Sequence, residues 1–167
     1  RAGVLHLNPD GTVAEQMLWD NPADVVSLSV DTSGDILMGT VFGLVGLDRH
    51  LKKMTRNLLF APVVKCAMRD PRGVLLMGCD GGLYECLDLP EHIRHDARDP
   101  RSFAGNVVWC MMKDHAGNLW IGSDNGLSVM TYDQSFAIYS LASITESGQG
   151  NQIYCMHMDS KDRLWIG

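Results

Sequence analysis

Val108-WCMMKDHAGNLWIGSDNGL-Ser128 is the stretch that decides the fold of this 167-residue chain. Val108 to Lys113 is apolar on both faces, as in a strand covered on two sides. Asp114-x-x-Gly117 follows. Aspartate bonds to the backbone two residues on and glycine supplies a positive φ, so the four residues read as a hairpin turn. Leu119-Trp120-Ile121-Gly122 is the returning strand, and Gly126-Leu127 opens a third strand after a second turn.

The same pattern recurs in register, without gaps, at Val25-VSLSVDTSGDILMGTVFGL-Val45, Val64-KCAMRDPRGVLLMGCDGGL-Tyr84 and Ile153-YCMHMDSKDRLWI-Gly167. Asp31, Asp70, Asp114 and Asp159 mark the four copies at intervals of 39, 44 and 45 residues. In the last copy Asp162 stands for the turn glycine, and aspartate is among the few residues that tolerate the left-handed conformation. Gly3-Val4-Leu5-His6-Leu7 matches Gly43-Leu44-Val45-Gly46-Leu47, so a partial copy opens the chain. Periods of this length built from short strands belong to β-propellers. A less regular fourth strand completes each unit, for example Phe136-Ala137-Ile138-Tyr139. The expectation is all-β: propeller blades of four antiparallel strands, with a partial blade at 1–23, blades at about 24–61, 62–105 and 106–150, and a partial blade at 151–167. The equivalent residues Leu37, Leu76, Trp120 and Trp165 are expected to fill the gaps between blades.

The bulk numbers exclude several classes. A net charge of −6 offers no basic face for phosphate backbones, so no nucleic acid is expected as a partner. The apolar run Leu58-Leu59-Phe60-Ala61 is far shorter than the roughly 20 residues of a membrane helix. The opening Arg1-Ala2-Gly3-Val4-Leu5 has no signal-peptide pattern.

Five cysteines invite a metal or disulfide reading, which the repeat weakens. Cys66, Cys110 and Cys155 share a position with Ser27, and Cys79 shares one with Thr40 and Ser123. Such positions ask for a small side chain, and buried free thiols are common. His92-x-x-His95 with Asp96 and Asp99 reads as a solvated inter-blade loop, and His157 as an interior strand residue. No catalytic constellation stands out, and no metal or cofactor is expected.

The sharper site argument is topological. If strands run from inner to outer, the turns between second and third strands and the loops joining blades emerge on one face. That face collects Asp80, Ser102, Asn106, Asp124, Asn125, Asn151 and Gln152, with Trp109 and Tyr154 near the start of their inner strands. Amides and carboxylates beside aromatic rings suit a sugar, whose hydroxyls pair with polar groups while its C–H faces stack on rings. Asn106, Trp109, Asp124, Asn125, Gln152 and Tyr154 are the candidate ligand-binding residues. The competing reading is that Asn and Asp build turns while the rings fill space between blades.

The repeat resembles that of the two-component regulator propeller family, approximately V-x-x-I-x-x-D-x-x-G-x-L-W-I-G-T-x-x-G-L. Val108, Met111, Asp114, Gly117, Leu119-Trp120-Ile121-Gly122 and Gly126-Leu127 fall in place, while Leu37, Leu76 and Ser123 depart from it. The linker His95-Asp96-Ala97-Arg98-Asp99-Pro100-Arg101-Ser102 is similar to the stretch joining blades in Bacteroidetes hybrid sensors. The resemblance implies part of a seven-bladed periplasmic sensor propeller, anchored through a membrane helix to a histidine kinase outside this chain. It also implies a homodimeric full-length protein and an oligosaccharide ligand. The segment itself is then not an enzyme. A polysaccharide-acting propeller enzyme and a structural or protein-binding propeller are the alternatives.

Overall fold

The computed structural model describes residues 2–19, 24–52, 54–58, 62–70, 72–86, 91–99, 101–131, 136–140 and 150–167. Leu59, Phe60 and Ala61 of the apolar run and Pro100 of the linker lie outside them. Among the described residues, sixteen strands form five antiparallel sheets, and every sheet follows chain order. β1 (Ala2–Leu7) pairs with β2 (Val13–Trp19). Three four-stranded sheets follow: β3 (Val25–Val30) to β6 (Met54–Leu58), β7 (Val64–Arg69) to β10 (Glu91–Ile93), and β11 (Val108–Lys113) to β14 (Phe136–Tyr139). β15 (Met156–Met158) and β16 (Leu164–Ile166) form the last sheet. The two-stranded sheets correspond to the outer and the inner half of a four-stranded unit. The chain is all-β, and its sheets are blades of a β-propeller.

Each Asp-x-x-Gly segment closes the first hairpin of its blade as a three-residue loop. Gly117 N–H donates to Asp114 C=O at 3.1 Å, and Asp114 N–H to Asn118 C=O at 3.0 Å. Gly117 has φ +90°, the left-handed position that this loop type demands, and Asp162 takes it at +58° in the last copy. The aspartate carboxylate accepts a backbone N–H within every loop, from Ser33, Arg72, Asn118 and Lys161 respectively.

The core lies between blades rather than inside one sheet. Leu37 and Leu44 pack against Val64, Ala67, Leu75 and Met77 of the next blade. Leu76 and Leu83 pack in the same way against Val108, Leu119 and Ile121. The second-strand glycine lets the blades close up. A Cβ on Gly122 would lie 2.6 Å from Cys110 Sγ in its own blade and 2.6 Å from Ile153 Cγ2 in the next. First strands therefore lie side by side, β3 against β7, β7 against β11 and β11 against β15, which makes them the inner strands.

Two expectations about side chains are corrected. Leu37 and Leu76 do fill the inter-blade gap, but Trp165 is 56 % exposed and Trp120 only half-buried. Each of these tryptophans instead turns its indole N–H to the aspartate of its own hairpin loop, Trp120 to Asp114 Oδ2 at 2.8 Å and Trp165 to Asp159 Oδ2 at 3.0 Å. His157, read as interior, is exposed on β15, opposite the exposed Trp165 in the two-stranded last sheet.

Candidate ligand-binding face

The loops expected on one face do come together there. The β12–β13 turn (residues 123–126, between Leu119–Ser123 and Gly126–Met130) meets the segment entering β11. Val107 N–H donates to Asp124 Oδ1 at 3.0 Å, and Asp124 N–H returns a bond to Val107 C=O at 3.0 Å. Asn125 donates through Nδ2 to Ala104 C=O at 3.0 Å and accepts at Oδ1 from Asn151 Nδ2 at 3.3 Å. Asn106 accepts His95 N–H at Oδ1 at 3.0 Å. Asn106, Asp124 and Asn125 thus have polar atoms engaged in clasping loops to one another, the turn-building role weighed against ligand binding.

Trp109, Tyr154 and Gln152 are placed differently, because each inner strand carries a β-bulge. Val108 faces Ser123 and Cys110 faces Gly122, which leaves Trp109 as the extra residue. Val26 and Lys65 are the extra residues of β3 and β7. In the last copy Tyr154 and Cys155 both donate backbone N–H groups to Gly167 C=O, at 2.8 and 3.0 Å, so Tyr154 holds the same place. A bulge re-aims a side chain away from the pleat. The re-aimed side chains meet from blade to blade: Lys65 Nζ stands 4.0 Å from the Trp109 ring centroid, and the Trp109 and Tyr154 rings lie 4.9 Å apart at 57°. Asp80, on the turn after β8 (Leu75–Cys79), pairs with Lys65 at 3.1 Å, and Tyr154 Oη donates to Gln152 Oε1. The result is a continuous row, Asp80–Lys65–Trp109–Tyr154–Gln152.

Exposure grades this row. Tyr154 is 53 % exposed and the Asp80 side chain 50 %, whereas the Lys65 side chain is 13 % exposed. Trp109 is half-buried, and its indole N–H is buried with no hydrogen-bond partner among the described residues. Sequence reasoning missed Lys65, although the aligned repeats contain a signal for it. Val26, Lys65, Trp109 and Tyr154 share one position, and it varies in kind between an invariably apolar residue and an invariably small one.

Cys66, Cys79 and Cys110 behave as packing groups, whereas Cys155 is exposed. Burial pushes the Cys79 thiol up to about 12 and that of Cys110 up to about 11, and it raises Cys66 as well. The carbonyl of Ile153 accepts a weak bond from Cys110 Sγ at 3.7 Å across the blade boundary. Thr40 and Ser123 add a role beyond smallness, because their hydroxyls donate to Gly43 and Gly126 C=O at 2.9 and 2.8 Å inside the turn. Among the described residues no group of three or more His, Cys, Asp or Glu is arranged to hold a metal ion. His92 sits in β10 rather than in a loop, stacked on Tyr84 at 4.0 Å and bonded to Gly81 C=O, while Asp96 and Asp99 do build turns. Buried Asp70 and Glu85 form a pair bridged by Arg72 at 2.6 and 2.8 Å. Salt-bridged and buried, it is a structural pair.

Fold and repeat together define the class, a β-propeller whose inner strands are bulged where they meet the turns and inter-blade loops. Residues 102–125 and 147–167 match the family model described as two component regulator propeller. A comparison with curated protein sequences finds no match. Among solved structures, the chain is similar to the extracellular domain of a putative hybrid two component system from B. thetaiotaomicron, at 27 % identity and a TM-score of 0.65 over 99 % of this chain. A second such domain from the same organism matches at 22 % identity and a TM-score of 0.68 over 98 %. The chain spans 23 % and 21 % of those two proteins. Virginiamycin B lyase from Staphylococcus aureus shares the fold, at 13 % identity and a TM-score of 0.72, over 98 % of this chain and 55 % of the lyase.

Proposed function

We propose that this chain is part of the extracytoplasmic sensor propeller of a hybrid two-component signalling protein, and that its bulged face takes part in recognising an oligosaccharide. The observation that carries the reading is the row of side chains at the bulges, where the Tyr154 ring adjoins the Gln152 amide at one end and the Asp80 carboxylate, held by Lys65, stands at the other. Rings stack on sugar C–H faces while the polar atoms bond to hydroxyls. The matched repeats and the extracellular neighbours support the sensor role and an extracytoplasmic place. The finer reading is a periplasmic region of a membrane-anchored homodimer that signals to a histidine kinase lying outside this chain.

Calorimetry of the intact extracytoplasmic region against a panel of oligosaccharides tests it. A saccharide should bind, and Tyr154→Ala should weaken it by roughly tenfold or more, as for the loss of one stacking ring worth about 1–1.5 kcal/mol. Binding of a protein partner with no response to any glycan would overturn the sugar reading. Turnover of the bound saccharide would instead favour the enzyme alternative.

A further inference from the structure

We infer that the Asp80–Lys65 pair makes this face a subsite for a neutral, polyhydroxylated ligand, with Asp80 as the hydroxyl acceptor and Lys65 as the residue that positions it. The inference rests on the proposed saccharide reading and adds the charge class of the ligand.

Exposure separates the partners of the pair. Lys65 Nζ is committed twice, to Asp80 at 3.1 Å and to the face of Trp109 at 4.0 Å, and its side chain is 13 % exposed. Asp80 keeps 50 % of its side chain open. The group offered to a ligand is thus a carboxylate, an acceptor with about four lone-pair sites, of which the lysine uses some. An acidic sugar would set its own carboxylate against Asp80, and the ammonium that could compensate is already engaged. A cationic ligand would face Lys65 beside the same site. The pair is neutral as a unit, and vicinal hydroxyls answer it best, since each donates to the carboxylate without bringing charge. Further along the row the exposed Tyr154 ring and Gln152 supply stacking and an amide, again without net charge.

The test uses the intact extracytoplasmic region with matched neutral and uronate-containing oligosaccharides of equal length. Neutral saccharides should bind and uronates should not. Asp80→Asn should weaken the neutral ligand by about tenfold, the loss expected for one charge-assisted hydrogen bond, measured at a temperature where circular dichroism shows the variant folded. Lys65→Met should weaken it as well, and Lys65→Arg should restore it, which a purely structural lysine would not require of a change that keeps only the charge. Preference for the uronate, or neutral binding untouched by Asp80→Asn, overturns this inference alone. Failure of every glycan to bind overturns the saccharide reading and this inference with it.

Discussion

Asp114 and Trp120 show how much one hydrogen bond organises at the residue scale. Oδ1 of Asp114 caps the hairpin loop, while Oδ2 accepts from Trp120 Nε1 at 2.8 Å and from Asn118 Nδ2 at 2.9 Å. Where the repeat has leucine instead of tryptophan, an arginine replaces the indole donor: Arg69 Nε of the next blade reaches Asp31 at 3.1 Å, and Arg72 Nε reaches Asp70 at 2.6 Å. The second carboxylate oxygen is therefore always answered. Trp109 offers the contrast, since its buried indole N–H has no partner among the described residues. Trp120→Phe should cost about 1.5–3 kcal/mol, as for a bond to a charged acceptor. Trp109→Phe, which removes an unpaired buried donor, should cost less than about 0.5 kcal/mol. Urea unfolding of the two variants checks the difference, and equal losses would contradict the assignment of these bonds.

At the element scale, the bulge and the second-strand glycine act together. Glycine at 78 and 122 lets the next inner strand close onto the blade, and the bulge beside it turns Lys65 or Trp109 out of the pleat. Gly122→Ala would force a Cβ into Cys110 Sγ and Ile153 Cγ2, so it should destabilise by about 1–3 kcal/mol through overpacking. Combining it with Cys110→Ala, which clears the sulfur but not Ile153, should recover only part of that loss. Full recovery would place the constraint inside one blade rather than between two. The hairpin loops were legible in the repeat because their geometry is local: Asp-x-x-Gly closes a turn through its own backbone and carboxylate. The bulge was not, since a one-residue offset is a property of pairing with a partner strand.

For the whole molecule, the blades form successive layers, and the hairpin loops occupy one end of every inner strand. Several of their carboxylates titrate low. Burial works to raise Asp31 and Asp114, but hydrogen bonds from Ser33 and Arg69 to the first, and from Trp120 and Asn118 to the second, outweigh it. The bonds from Trp165 and Arg163 lower Asp159 to about 2. A carboxylate held below its ordinary 3.8 contributes stability that is present above that value and lost as pH falls through the folded-state pKa. Stability should therefore change little with respect to these groups between pH 7 and about pH 4 and fall steeply from there toward about pH 2. Thermal unfolding followed across that range checks it, and Asp114→Asn should flatten the decline. A decline already complete by pH 5 would point to other groups.

The candidate site divides along the same line. Placing Trp109, Tyr154, Gln152 and the turn residues on one face needed only the order of strands and loops, which the repeat makes explicit. What Asn106, Asp124 and Asn125 do on that face depended on partners distant in the chain, such as His95, Val107 and Asn151. By itself the sequence determined the blade, because a hairpin loop, a glycine and an alternation of apolar residues act over a few positions. The tertiary structure alone decided that Lys65 reaches the Trp109 ring and that the Tyr154 ring packs against Trp109 across the following boundary. Those facts arise only where side chains from different blades meet, and contact across a blade boundary has no periodicity to read.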